Sequence, residues 1–361
     1  MERKLKVGIV GGTGMVGQRF ITLLANHPWF DVVSIAASER SAGKSYQEVM
    51  GGRWSMAMPI PEAIGKINIL NAMDVERVCQ DVDFVFCAVD MSKDEIKALE
   101  EKYAQAETPV VSNNSAHRLT PDVPMMMPEV NPEHVGIIPV QRQRLGTKRG
   151  FIAVKPNCSI QSYVPPLHIL KDCGLNKAFV STYQAISGAG KTFETWPEMV
   201  DNVIPFIKGE EEKSEQEPLK IWGQVTEQGI VHTTRPVISA QCIRVAASDG
   251  HLATVSVSFD KKPGKEEMIA RWAAFQGRPQ ELKLPSAPRQ FVKYFEEENR
   301  PQTKLDRDLE NGMGITVGRL REDPIYDYKF VALSHNTLRG AAGGAVLTAE
   351  LLVAEGFIAA K

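Results

Sequence analysis

Through the first half of this chain, short apolar runs alternate with stretches whose apolar residues recur at helical spacing. Residues 5–10 predict a strand, 19–25 a helix and 32–37 a second strand. Residues 83–89 predict another strand. Ser92 then caps a helix whose interior is Ile96, Leu99 and Tyr103, and residues 109–111 and 151–154 predict two more strands. Strands alternating with helices form a parallel sheet with helices on both faces, and ligands bind at the strand ends.

Beyond residue 157 the pattern changes. Residues 160–170 carry helical apolar spacing, and 178–186 alternate as a strand that ends in Ser187-Gly188-Ala189-Gly190, a loop that permits close backbone approach to a ligand. Residues 141–149 are polar and basic and predict a surface connection. The charged run 208–220 reads, on composition, as a solvated loop or helix end. Residues 243–247 and 252–259 predict half-buried strands separated by Ser248-Asp249-Gly250-His251, and 316–320 and 330–333 predict two more. Short connections between these strands predict a mixed or antiparallel sheet, hence a second domain of α+β type. Residues 338–357 predict a long apolar helix that returns to the first domain and closes its ligand site. The expected division is 1–157 completed by 338–361, with 158–337 as the second domain.

Composition narrows the function classes. The chain has 361 residues, 43% hydrophobic and 24% charged, with a formal charge of −2. Nothing global points to nucleic acid or an anionic membrane surface. No apolar run is long enough to span a bilayer, and the N-terminal MERKLKVGIVGG passes directly into a strand without the apolar core of a signal peptide. Cys79, Cys87, Cys158, Cys173 and Cys242 are scattered with no CxxC spacing, so neither a disulfide framework nor a metal site is expected. A reducing, cytoplasmic setting fits best.

The candidate chemistry begins at Gly11, Gly14 and Gly17, a G-x-x-G-x-x-G spacing between a strand and a helix. Glycines there let the backbone turn tightly and approach a pyrophosphate at the helix N-terminus. At the end of the next strand, Ser38, Arg40, Ser41 and Lys44 surround the single acid Glu39, which favours NADP over NAD. Cys158 sits at a strand end next to a predicted helix N-terminus, where a thiol loses its proton more easily. The alternative for Cys158, read from this segment alone, is a small buried hydrophobe. Arg118, just past another strand end, could clamp an anion through its planar guanidinium.

Taken together, GGTGMVG, VKPNCSIQ, STYQAISGAG, the Glu210 and Lys213 pair, Ile243-Arg244 with Gly250-His251, and HNTLRGAAGGA resemble the aspartate-semialdehyde dehydrogenases. They stand in that family's order and cover nearly the whole chain. The Gly250-His251 context and the segment 43–64 resemble its archaeal and fungal-type branch. The resemblance implies an α/β fold: a Rossmann-type dinucleotide-binding domain plus an α+β catalytic and dimerisation domain with a mixed sheet, like that of glyceraldehyde-3-phosphate dehydrogenase. It implies reduction of L-4-aspartyl phosphate by NADPH to L-aspartate 4-semialdehyde and phosphate. It implies Cys158 as nucleophile, His251 as acid/base and Gln184 as orienter. Arg244 would hold the substrate carboxylate, while Glu210, Lys213 and Arg118 serve its amino group and phosphate, with Asn157 beside the nucleophile. Gly11, Thr13, Gly14, Met15, Val16, Ser187, Gly188 and Asn336 would contact the cofactor, with Ser38, Arg40 and Ser41 at its 2′-phosphate. A homodimer or homotetramer is implied, with the second domain's sheet at the interface.

The residue chemistry agrees. A thiolate attacks an acyl phosphate, phosphate leaves, a thioester remains and a hydride reduces it. His251 could take the Cys158 proton and return it later. Related reductases acting on N-acetyl-glutamyl phosphate or malonyl-CoA share these parts, but the Glu210 and Lys213 pair favours a substrate with a free amine. A non-catalytic NADP-binding regulator and a cofactor-free cysteine hydrolase are the readings from other classes.

Overall fold

The computed structural model describes residues 3–361. Six strands, β1 (Leu5–Val10), β2 (Phe30–Ala37), β3 (Leu70–Asn71), β4 (Phe84–Cys87), β5 (Val110–Ser112) and β6 (Ile152–Val154), form one sheet in the order β3-β2-β1-β4-β5-β6. Every pair in it is parallel. β4, β5 and β6 are buried along their whole length, as strands covered on both faces must be. The strand order reverses at β1, so the crevice between β1 and β4 is the switch point at which such sheets bind ligands.

The strand predicted over 83–89 stops at Cys87, because Ala88 and Val89 leave the sheet to line that crevice. The predicted helix 19–25 begins earlier and runs Met15–Leu24, starting directly from the glycine loop. Ser92 caps the helix Lys93–Gln105 in a capping box with Glu95.

The second sheet has seven strands, drawn from β7 (Leu175–Gln184), β8 (Val203–Ile204), β11 (Val237–Val245), β12 (His251–Phe259), β13 (Val292–Phe295), β14 (Ile315–Glu322) and β15 (Tyr328–Ser334); β9 (Gln224–Thr226) and β10 (Gly229–Val231) make a separate ribbon. Its order is β13-β14-β15-β12-β7-β11-β8. The β7–β11 and β13–β14 pairs are parallel and the others antiparallel, which makes the sheet mixed. Along β12 buried and half-buried residues alternate strictly. One face carries Ala253, Val255 and Val257 into a core with Trp272 and Met268 of the helix Lys265–Ala274. The opposite face carries Phe179, Tyr183, Val237 and Ile243, in register across β7 and β11; Phe179 and Val237 are exposed.

Three further predicted elements differ. The helix expected over 160–170 is a short turn, Ser159–Gln161, followed by Val164–His168, because Pro165 and Pro166 restart the helix rather than continue it. The basic stretch 141–149, expected as a surface connection, includes the end of the helix Ile138–Leu145. There Gln141 is fully buried, and its amide bonds to Asp122 and to both backbone groups of Ile152. The helix expected over 338–357 is interrupted at Ala341 (φ −142°, ψ −109°), and the regular part runs Gly343–Ala354. Ala345, Val346, Ala349 and Leu352 of that part pack into the apolar cluster of β1, β2 and β4. Leu347 and Leu351 face a second cluster with Met126 and Met313, so a helix with apolar residues on every side is buried on every side, its one charge, Glu350, bonded to His27 and Ser286. Among the described residues no helix is long and apolar enough to cross a membrane.

Candidate active site

At the switch point, Gly11 has φ +92°, and a Cβ there would stand 2.3 Å from the Ala88 carbonyl oxygen. A Cβ at Gly17 would stand 2.4 Å from the Gly11 carbonyl oxygen, so helix and loop touch through glycine alone. This crevice is a cavity of about 390 Å³ lined by Gly11, Thr13, Gly14, Ser38, Glu39 and Met73 among others. Of the residues expected at a 2′-phosphate, only Ser38 lines it. Arg40 is exposed in the turn Glu39–Ser41 and Ser41 is buried within it. Met15 lines a second cavity of about 170 Å³ that faces Ser187, Ser248 and Asp249 of the other domain. Val16 packs into the core instead.

Cys158 stands where the chain leaves β6. It precedes a turn of three residues, too short to act as a helix dipole, which corrects the expectation of an acidified thiol. Burial pushes the thiol upward, the Glu210 carboxylate adds to this, and Lys155, Arg118 and Arg244 oppose it; the net shift is upward. Lys155, not singled out from the sequence, is fully buried, and burial together with the like charge of Arg118 lowers its ammonium to about 7. Gly340 closes over the thiol: a Cβ there would stand 2.9 Å from Cys158 Cβ.

The run expected to be a solvated loop or helix end is the helix Glu210–Ile221, and four polar residues, Glu210, Ser214, Glu217 and Lys220, are buried on it beside Pro218 and Ile221. Charges at this spacing share one helix face, and other segments supply their partners. Glu210 accepts from Lys213 Nζ at 2.7 Å, from Asn157 Nδ2 at 3.0 and 3.1 Å, and from Gln184 Nε2 at 3.2 Å. Burial would raise this carboxyl, but the Lys213 charge and these donors hold it below the usual range. Lys220 Nζ donates to the carbonyls of Arg118, Thr120 and Val123 at 2.6–2.8 Å. Glu217 joins Arg118 Nη1 at 3.0 Å to the Asn157 N–H at 2.6 Å. Glu217 and Lys220 escaped the sequence reading, although their spacing from Glu210 was the available signal.

His251 starts β12 and is fully buried. Its Nδ1 accepts from the Ala185 N–H at 3.1 Å, so the neutral ring holds its proton on Nε2, which has no partner among the described residues. This is the tautomer of a proton donor, not of a base poised for the Cys158 thiol. Burial and the Arg244 charge lower the ring to about 3. Arg244 Nη1 donates to the Ala185 carbonyl at 2.6 Å. A side chain at Gly188 would meet Arg244 Nη1 at 2.9 Å and His251 Nε2 at 3.0 Å, so glycine lets this loop pack directly against these two residues. Asn336 ties the same region together. It accepts from the Gly250 N–H and donates to Ser187 Oγ, each at 2.8 Å.

The site therefore brings Cys158, Arg118, Asn157, Gln184, Glu210, Lys213 and Arg244 into one electrostatic group, with His251, Gly188, Ser187 and Asn336 adjoining it. Among the described residues no hydrogen bond joins Cys158 to His251.

Buried neutral imidazoles make a prediction for acid stability. His251 is lowered to about 3, and His134 and His335 to about 4, burial being the first cause in each. The unfolded rings take a proton near pH 6.5, about where free histidine titrates. Between that pH and about 4 the unfolded chain binds more protons, so stability falls as pH falls through the window. Each ring contributes about 1.4 kcal/mol per pH unit there. Urea unfolding midpoints are expected to drop from pH 7.5 to pH 5; a midpoint that stays level would show that these rings are protonated in the folded chain.

The chain matches the semialdehyde dehydrogenase NAD-binding domain family over residues 6–138 and the semialdehyde dehydrogenase dimerisation domain family over residues 166–339. It is 44% identical over 355 residues to an aspartate-semialdehyde dehydrogenase from Archaeoglobus fulgidus, covering 98% of this chain and all of the relative. A fungal relative of the same description, from Aspergillus fumigatus, is 40% identical over 364 residues, covering 98% and 99%. The crystal structure of aspartate semialdehyde dehydrogenase with NADP from Candida albicans superposes with a TM-score of 0.88 at 36% identity, covering 99% of this chain and all of that one. On the fold, the glycine-loop crevice and these full-length relatives, the chain belongs to the aspartate-semialdehyde dehydrogenase family.

Proposed function

We propose that this protein reduces L-4-aspartyl phosphate with NADPH to L-aspartate 4-semialdehyde and phosphate, through a thioester on Cys158. The observation that carries the reading is the charge layout around one thiol. Arg118, Arg244 and Lys155 supply positive field, and Glu210 supplies one buried carboxylate held ionised. The substrate has the complementary set: a carboxylate, a phosphate and an ammonium. Arg244 pairs with the carboxylate, Arg118 and Lys213 with the phosphate, and Glu210 with the ammonium, while Asn157 and Gln184 fix the Glu210 carboxylate.

Cys158 attacks the acyl carbonyl as the thiolate, its proton leaving on the solvent-open side, and phosphate departs. His251 Nε2–H, without a partner among the described residues, donates to the carbonyl oxygen as negative charge develops there. NADPH, when bound, supplies the hydride that reduces the thioester. The cavity beside the glycine loop fits a dinucleotide, since any Cβ at Gly11 would fill the approach to the backbone. Collapse of the reduced adduct returns the thiolate.

Residues 1–157 with the last helix hold the cofactor in this reading, and 158–337 carry the chemistry. The open face of the second sheet, where Phe179 and Val237 lie among Lys177, Ser239 and Gln241, is the contact of a homodimer or homotetramer. Five unpaired cysteines suit a reducing, cytoplasmic setting. The product would feed threonine, methionine and isoleucine synthesis.

The test is NADPH formation from L-aspartate semialdehyde, phosphate and NADP. Saturable, phosphate-dependent turnover that is absent with acyl-CoA or N-acylated substrates is expected. Cofactor binding without turnover would point instead to a sensor, and preference for an N-acylated substrate would overturn the assignment of Glu210.

A further inference from the structure

Arg118 is an unusual anion ligand because it is already buried and already paired. Its side chain is 10% exposed, and its Nη1 donates to Glu217 Oε1 at 3.0 Å. Its Nε donates to the Lys155 carbonyl at 3.0 Å. The other Glu217 oxygen accepts the Asn157 N–H at 2.6 Å, one residue before the nucleophile. Glu217 is 3% exposed and stands a full two turns along its helix from Glu210, which holds the Asn157 side chain. One helix face thus grips Asn157 by its backbone and its side chain, and grips Arg118 through the same carboxylate that holds the backbone.

We infer that Glu217 is a positioning residue that sets Arg118 against the Cys158 loop, so that the phosphate-binding guanidinium and the nucleophile keep one distance. A carboxylate suits this task because its two oxygens accept from two donors at once. A glutamine in its place keeps one acceptor for the Asn157 N–H and turns an N–H₂ group toward the guanidinium. It releases Arg118 while leaving the Asn157 backbone held. Lys220 supports the arrangement from the other side by binding the Arg118 carbonyl at 2.8 Å. The inference rests on the reading of Arg118 as a phosphate-side residue.

Phosphate protection of the thiol tests it without turnover. Cys158 in the full chain is alkylated with iodoacetamide over a range of inorganic phosphate concentrations, and modification of its peptide is followed by mass spectrometry. In Glu217→Gln the half-protective phosphate concentration is expected to rise roughly tenfold or more, the usual scale for losing a charge-assisted hydrogen bond. Arg118→Gln should raise it at least as far, and the double variant no further, because Glu217 acts through Arg118. In turnover assays the KM for phosphate should rise while the KM for the semialdehyde stays within about twofold, a split that a general loss of structure does not produce. An unchanged protection curve in Glu217→Gln, or additive losses in the double variant, would overturn the inference. Should that variant fail to fold, Glu217→Asp decides: it keeps the charge but is too short to span both donors, and protection within twofold of wild type would count against Glu217. Absence of phosphate protection in the wild type is a different result, which removes the anion reading of Arg118 itself and this inference with it.

Discussion

Cys158→Ala is expected to lose turnover by about 10⁴-fold or more, since removal of the nucleophile ends covalent catalysis and leaves only binding and polar stabilisation. The fold should not notice the change. Cys158 lies outside the apolar clusters and makes no hydrogen bond among the described residues, so its loss removes one sulfur atom from a site that is partly open. NADP binding should also survive, because the glycine-loop cavity is lined by Gly11, Thr13, Gly14 and Ser38 and not by Cys158. The measurement is NADPH formation over time beside a melting curve and a cofactor titration. An alanine variant that keeps more than a few per cent of the wild-type rate would exclude the thioester route. A variant that is inactive and also unfolded would show that the thiol packs more tightly than its surroundings indicate.

The largest expected effect on stability lies behind the same thiol. Glu129 and Arg339 form an ion pair with side chains 0% and 1% exposed, joined by two hydrogen bonds, of which Nη1 to Oε1 is 2.7 Å. Arg339 Nε also donates to Gln161 at 3.3 Å, and the guanidinium lies 4.8 Å from the centre of the Phe291 ring. Removing the charge on Glu129 leaves a buried guanidinium without its counter-ion, which costs about 3–5 kcal/mol. Glu129→Gln should therefore melt roughly 5 °C lower, taking about 1.3 °C per kcal/mol for a chain of this length. Replacing both partners with apolar residues of similar volume should recover most of that loss, because the desolvation cost disappears with the charges. Arg339 precedes Gly340, which packs against Cys158, so Glu129→Gln is also expected to slow turnover below its new melting point. A melting temperature within one or two degrees of wild type would mean that Arg339 finds another anion or reaches water.

What the sequence determined by itself was mostly local. Alternating apolar runs and helical spacing place five of the six strands of the first sheet to within a few residues, since both faces of a parallel sheet are buried and its strands read as continuous apolar segments; β3, only two residues long, left no such signal. Ser92 marks a helix start through capping chemistry that needs no distant partner, whereas the helix after the glycine loop starts at Met15, four residues before its apolar spacing announces it. The motif set also sufficed to place the chain in its family.

Only the tertiary structure decided what the charged residues do. A helical face of Glu210, Lys213, Glu217 and Lys220 has the same periodicity whether it faces water or a protein interior. Asn157, Gln184 and the carbonyls of the loop 118–123 came from other segments to make it an interior. The thiol shows the same division. Its place at a strand end was legible, but whether its pKa rises or falls depends on burial and on charges brought from several segments, and burial won. His251 was legible as a titratable group; the Ala185 N–H, 66 residues away, selects its tautomer. The break at Ala341 has no proline to announce it. It arises where the chain must leave the second sheet, close over Cys158 with Gly340 and then bury an apolar helix against the first sheet, a constraint that exists only once both sheets are in place.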